Sequence, residues 1–154
     1  IITGVGVFRA RRIEAGLLNA GSDFDATTTP FAVGLGGFVD FDKGDFIGRA
    51  ALLDADRSCL TWGMRTADGV ARLGDTITID GRTVGSVRAT AWSPYLRCGV
   101  SIVRMRSAQH GPSTEVSVET VDGRTATAVL CPMPFYDEER LIPRGKRVDV
   151  PKIR

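Results

Sequence analysis

The side chains able to do chemistry fall into small groups, and most of them point away from catalysis. Asp23 and Asp25 stand two apart in the stretch NAGSDFDATTT. Two carboxylates that close could share acid–base work, but a segment so rich in small and polar residues favours Asx turns and helix caps. Asp40, Asp42 and Asp45 resemble an oxygen cluster for calcium, yet the regular aspartate spacing with its glycine and closing glutamate is missing. Cys59, Cys98 and Cys131 are far apart, odd in number and form no CxxC pair, so neither a zinc site nor a disulfide framework is expected. They read as small apolar core thiols in a reducing, cytoplasmic setting. His110, the single histidine, lies in SAQHGPS with no acid or thiol at motif spacing and reads as a turn residue. Gly34, Gly36 and Gly37 match neither phosphate-binding fingerprint. What remains is Arg9, Arg11, Arg12 and Glu14, crowded beside Phe8. By residue type alone, Arg12 and Glu14 read as ion-pair ties from a helix end to its neighbouring loops.

The elements that must position these groups change character along the chain. Residues 4 to 16 predict a helix with Val5, Phe8 and Ile13 as its buried stripe and Gly16 as its stop. A loop follows to residue 29. Thr29-Pro30 predicts a short helical turn over Pro30 to Val33, ending at the Gly34–Gly37 cluster. Phe38, Val39 and Phe41 suggest a short strand, and Asp45 a helix N-cap for the apolar residues that follow. From about residue 59 short β-branched segments take over: Cys59 to Arg65, Asp75 to Ile79, Arg82 to Val87, Val100 to Met105, Glu115 to Val121 and Arg124 to Val129. Asp80-Gly81 and Asp122-Gly123 sit between pairs of these, a strong local signal for hairpins. The fold class expected is an α+β fragment over residues 1–56, an all-β barrel or sandwich over 57–137, and an extended tail over 138–154.

Composition bounds what this assembly does. The chain has 154 residues and 16.5 kDa, enough to bury a core without a metal or disulfide staple. Its 20 basic residues are nearly matched by 18 acidic ones, for a net charge of +2, so no electrostatic case arises for nucleic acid. The apolar runs are too short to span a bilayer as a helix. The chain begins with Ile rather than Met, and its first part has too few strands for a sheet of its own. Both features imply a piece of a longer polypeptide, with the partner domains upstream.

The first part then carries a family likeness. Arg12-Ile13-Glu14-Ala15-Gly16-Leu17, Gly21-Ser22-Asp23, Thr28-Thr29-Pro30, Gly34-Leu35-Gly36 and Phe46-Ile47-Gly48-Arg49-Ala50-Ala51-Leu52 follow in order. Gly85-Ser86-Val87 through Ser93-Pro94, then Cys98 to Ile102, then Pro132-Met133-Pro134-Phe135-Tyr136-Asp137 continue the series. Over residues 4 to 137 this pattern resembles the glycine-cleavage T-protein (aminomethyltransferase) superfamily. The wording GLLNAGSDFD, PFAVGL and FVDFDK is nearest to its dimethylsulfoniopropionate demethylase-like and dimethylglycine or sarcosine dehydrogenase-like branches.

That resemblance implies a fold and a chemistry. Residues 1–56 would end a folate-binding domain, and 57–137 would form the C-terminal β-barrel. The implied cofactor is tetrahydrofolate, accepting a one-carbon unit from a small amine or sulfonium donor. Folate has a flat pterin, polar groups along one edge and an anionic tail, so its site needs an apolar slot, a carboxylate and an arginine. The residues the likeness nominates are Arg9, Arg12, Glu14, Trp92 and Tyr136. The chain also departs from the pattern. The family's catalytic aspartate belongs to an earlier domain with no counterpart here, so the 154 residues alone are expected to be inactive. Where the family places an arginine for the folate tail this chain has Phe8, and where it places a ligand-touching tyrosine the count lands on Arg140. Alternatives within the same frame are the folate-accepting tail of a flavin-linked dehydrogenase and a non-catalytic folate-binding module.

Overall fold

The computed structural model describes residues 4–147. Helix α1 (Val5–Glu14) comes first, then two 3-10 turns (Phe31–Val33 and Gly36–Phe38), then helix α2 (Arg49–Asp54). Six strands follow: β1 (Thr61–Thr66), β2 (Thr76–Ile79), β3 (Arg82–Ser93), β4 (Cys98–Met105), β5 (Glu115–Glu119) and β6 (Thr125–Cys131). They close into an antiparallel barrel in the order β1-β4-β3-β2-β5-β6, with β6 returning to β1.

Both predicted hairpins form, by different turn chemistry. Asp80 and Gly81 take φ of 49° and 74°, joining β2 to β3 directly at the Ile79–Arg82 pair. Two consecutive left-handed residues match the twist of the flanking strands. Between β5 and β6 the loop is longer. The Thr120 hydroxyl there donates to the Asp122 carboxylate, and the Thr120 amide donates to the Arg124 carbonyl at 2.8 Å.

Two cores share the barrel wall. Met64, Ile77, Val87, Val103, Met105, Val118 and Leu130 fill the barrel interior. Ile13 of α1 meets Ala89, Val100, Ile102 and Phe135 in a second cluster. β4 serves both, because alternate residues of a strand point to opposite faces; five consecutive residues, Gly99–Val103, are buried. β3 changes sides by a bulge. Val87 pairs with Val103 and Ala89 with Ile102, so Arg88 is the extra residue. In a regular strand Val87 and Ala89, two apart, would face the same way; the bulge turns them to opposite sides.

Several local expectations differ from the structure. Val5 and Phe8 are 85% and 72% exposed, and α1 buries only Ala10, Ile13 and Glu14. An apolar stripe is buried only where something covers it, and the barrel reaches only the last turns of α1. Phe38, Val39 and Phe41 form no strand; a run of three apolar residues beside a closed barrel has no neighbour to pair with. Asp45 caps nothing, since α2 starts at Arg49 with left-handed Gly48 as its N-cap. All three cysteines are half-buried free thiols; Cys98 and Cys131 pack against the second cluster, and Cys59 belongs to neither. Residues 138–147 are a series of turns rather than an extended tail, and 148–154 lie outside the described residues.

Candidate functional site

α1 ends where the site begins. Gly16 adopts φ 67° and donates to the Ile13 carbonyl, while Leu17 donates back to Arg12 at 2.9 Å. This left-handed stop turns the chain sharply and leaves Glu14 in the last helical turn, facing the barrel. Glu14 is 1% exposed. Its Oε1 accepts from the Ser93 hydroxyl at 2.6 Å. Its Oε2 accepts from Arg11 Nη1 at 2.9 Å and from the Tyr136 hydroxyl at 3.0 Å. The same Arg11 nitrogen donates to the Tyr136 oxygen at 2.7 Å. The backbone joins in, with Phe135 N–H donating to the Glu14 carbonyl at 2.9 Å. One buried carboxylate thus ties α1 to the end of β3 and to the segment after β6. A buried charge is tolerable when it is paired and hydrogen-bonded in this way.

Around this network lies a cleft of about 430 Å³, within the range of small-molecule sites. Phe8, Leu17, Pro134 and Ile142 give it apolar walls, and Arg11, Glu14, Tyr136 and Arg140 supply polar atoms. Tyr95 packs against the Tyr136 ring with centroids 4.4 Å apart. Burial, and then the Glu14 charge, push the Tyr136 phenol up to about 12. Such a phenol stays protonated at neutral pH and donates a hydrogen bond; it is not a base. The hydrogen bond that Arg11 itself donates to Glu14 raises the Arg11 pKa above its ordinary value. A carboxylate offers about four acceptor positions, and three donors occupy those of Glu14. Such an arrangement can hold and orient a polar group but is not poised to take up a proton.

The nominated residues do not all meet. Glu14 and Tyr136 sit together in the network, and Arg12 lines the cleft. The Arg12 guanidinium is engaged elsewhere, however. It bonds Asp23 Oδ2 at 2.7 Å and the Leu17 carbonyl at 3.0 Å. Asp23 is fully buried, also accepts from Asn19 N–H at 2.8 Å, and so pins the loop after α1. Arg9 is exposed and Trp92 is 44% exposed; neither lines the cleft. Sequence reading missed Arg11, Ser93 and Tyr95 as members of the network. The Arg11–Glu14 spacing of three on a helix was the available signal for the first. For Ser93, the sign was its place at a strand end before a proline. Asp25 and Asp40 make local Asx-type bonds, to Thr27 N–H and Asp42 N–H at 2.9 Å each. No group of three or more potential metal ligands occurs among the described residues.

Comparison with known proteins places this geometry. The family profile "Glycine cleavage T-protein C-terminal barrel domain" matches residues 60–137. The chain is 33% identical over 141 residues to an aminomethyltransferase of Thermosynechococcus vestitus, covering 89% of this chain and 38% of that relative. It is 35% identical over 140 residues to an aminomethyltransferase of a Nostoc species, covering 86% of this chain and 36% of the relative. A trimethylamine-oxide aldolase of Ruegeria pomeroyi is 33% identical over 141 residues, covering 87% of this chain and 18% of that protein. The fold matches the aminomethyltransferase T of the glycine cleavage system from Bartonella henselae with a TM-score of 0.73 at 24% identity, over 84% of this chain and 38% of that one. The chain therefore spans well under half the length of these relatives. No helix among the described residues is long and apolar enough to cross a membrane. With a closed six-stranded barrel, a profile match over 60–137 and aminomethyltransferase relatives across most of its length, the chain belongs to the glycine cleavage T-protein family.

Proposed function

We propose that this chain is the C-terminal part of a tetrahydrofolate-dependent one-carbon transferase, and that its cleft holds part of the folate. The observation that carries the reading is the buried Glu14 carboxylate, held by Arg11, Ser93 and Tyr136 at an apolar cleft. A folate needs a flat apolar slot and fixed polar groups to orient it, and this cleft supplies both. The fit is one of binding. Tyr136 holds its proton as a donor, Glu14 fixes Tyr136 and Arg11, and the walls supply apolar surface. The acid–base group for transfer from an amine or sulfonium donor would come from another part of the full protein. The 154 residues alone therefore bind without turning over.

The test is equilibrium binding of tetrahydrofolate to the full polypeptide its gene encodes, followed by fluorescence under anaerobic conditions. Tyr136→Phe should weaken binding several-fold while leaving the far-ultraviolet dichroism unchanged. Absence of binding to the unsubstituted protein would sink the proposal, and folate-dependent turnover by the isolated 154 residues would sink its second half.

A second reading draws on one finding. A matching segment makes up only 18% of the trimethylamine-oxide aldolase relative, so such a segment can belong to a much longer enzyme of different printed activity. The chain would then be the folate-accepting tail of an enzyme, flavin-linked or otherwise, that releases the one-carbon unit elsewhere. Visible flavin absorbance in the purified full protein, or a dinucleotide fingerprint in its upstream sequence, separates that case from the first. A non-catalytic folate-binding module would instead bind folate and consume no donor.

A further inference from the structure

The hairpin of β3 and β4 is one-sided in charge. From Gly81 to Thr114 the chain has five arginines and no acidic residue, with Asp80 and Glu115 flanking the stretch. Arg88 and Arg104 stand half-buried on these neighbouring strands. Burial, and then the Arg88 charge, lower the Arg104 pKa. The Nε atoms of both are buried without an acceptor. Asp25 offsets their charge only in part, because its Oδ1 is held by Thr27 and Thr28. Positive charge is therefore in excess along this wall.

Arg82, where β3 begins, and Arg106, just past β4, line a cleft of about 630 Å³ at one mouth of the barrel. Barrel mouths are preferred places for small ligands. Ile79 and Val84 form its floor, and both also pack on the barrel interior. Thr83, Ser107, Gln109 and His110 add polar groups. Among the described residues neither guanidinium has a carboxylate within ion-pair distance or donates a side-chain hydrogen bond. Asp80 is the one acid in the lining, and it pairs with neither. Trp62 packs on the same interior cluster as Ile79 and Val84, and its indole N–H is buried with no acceptor; such a donor usually has one. Gly111, next to His110, lies against that ring, where a Cβ would sit 4.0 Å from Cζ2. The Glu14 cleft is at the other end of the hairpin, where Ser93 closes β3. The eight residues of β4 put about 25 Å between the two.

Two unpaired guanidiniums call for two negative charges. A phosphate monoester carries about 1.5–2 at neutral pH, with three strong acceptor oxygens, whereas a carboxylate carries one. Arginine forks grip such oxygens in pairs, and the Asp80 charge works against a singly charged ion held weakly. We propose that the barrel mouth between Arg82 and Arg106 is a binding site for a phosphoryl group, carried either by free phosphate or by a small ester whose body lies on Ile79 and Val84. The site is separate from the Glu14 cleft and does not depend on what that cleft binds.

The experiment is calorimetric titration of the full polypeptide, at constant ionic strength, with inorganic phosphate, phenyl phosphate and benzoate. At least one of the two phosphates should bind, and benzoate should bind about tenfold more weakly than it. Arg82→Gln and Arg106→Gln should each weaken phosphate binding about tenfold. Arg72→Gln, at the exposed Arg72–Glu119 ion pair, removes the same charge elsewhere and should leave binding within about twofold. Both arginines of the mouth are exposed, so their variants should melt as the unsubstituted protein does. Tighter binding of phenyl phosphate than of phosphate supports an ester as the ligand, and equal or tighter binding of phosphate supports the free ion. Binding that survives both substitutions, that falls as much in Arg72→Gln, or that benzoate matches would overturn the proposal. So would a protein that binds neither phosphate.

Discussion

Glu14 does the work of several residues. It is buried, charged and bonded by groups from three separate segments. Replacing it with glutamine keeps the shape but removes the charge that Arg11 faces and aims an amide at donors. Glu14→Gln should cost about 2–3 kcal/mol in chemical denaturation. It should also lower the Tyr136 phenol from about 12, because the Glu14 charge is one cause of that shift. With two tyrosines in the chain, ultraviolet titration of phenolate resolves the change; an unmoved titration would remove Glu14 as a cause. The sign for stability follows. A phenol raised in the folded state above its ordinary 10.0 favours folding fully below that pH. Its contribution is lost as pH rises from about 10 to about 12, and Tyr136→Phe should flatten that part of the stability profile. The role of Glu14 was only half legible in the sequence. Its spacing from Arg11 announced an ion pair, but Ser93 and Tyr136 lie 79 and 122 residues away. No local pattern encodes a contact of that separation.

At the scale of elements, α1 is held by its C-terminal half alone. Ile13 is its one fully buried large apolar side chain, set among Ala89, Val100, Ile102 and Phe135. Ile13→Ala should cost about 2–5 kcal/mol and loosen α1 more than the barrel interior. Amide exchange of residues 8–14 should accelerate well beyond that of β4; uniform acceleration would show that helix and barrel unfold as one unit. Gly16 adds a second constraint. A Cβ there would sit 2.9 Å from the Met133 Cβ, on a backbone that already disfavours one. The strands were legible because alternation and the Asp-Gly turns are local properties. β3 was read too short by the six residues Arg88 to Ser93, since this second half changes face at the bulge and breaks the period of two. The errors cluster in residues 38–48, where apolar residues lack a covering partner and periodicity therefore has nothing to report.

Across the whole molecule, burial is uneven. The barrel hides most of its apolar residues, whereas Phe38 and Ile47 in the first part are 86% and 105% exposed. Phe38→Ser and Ile47→Ser should leave the melting temperature of the 154 residues within the spread of ordinary surface substitutions, about 0.5 kcal/mol. A larger loss would mean that these side chains pack on something within this chain. The family likeness in the sequence assigned the first part to a larger domain. What it did not foretell was how closely α1 is joined to the barrel, through a shared cluster and the Glu14 network.

The closed circuit of strands has one more effect. Every strand from β1 to β6 has a neighbour on both sides, so no strand stands as a free edge along its whole length, and only strand ends, such as Ala89 to Ser93 of β3, pair on one side alone. Edge-to-edge growth, the usual route by which sheets recruit other sheets into fibres, finds no complete edge strand to start from here. Association of this module must run through side chains and loops, which leaves its choice of neighbour to surface chemistry rather than to the promiscuous hydrogen bonding of the backbone.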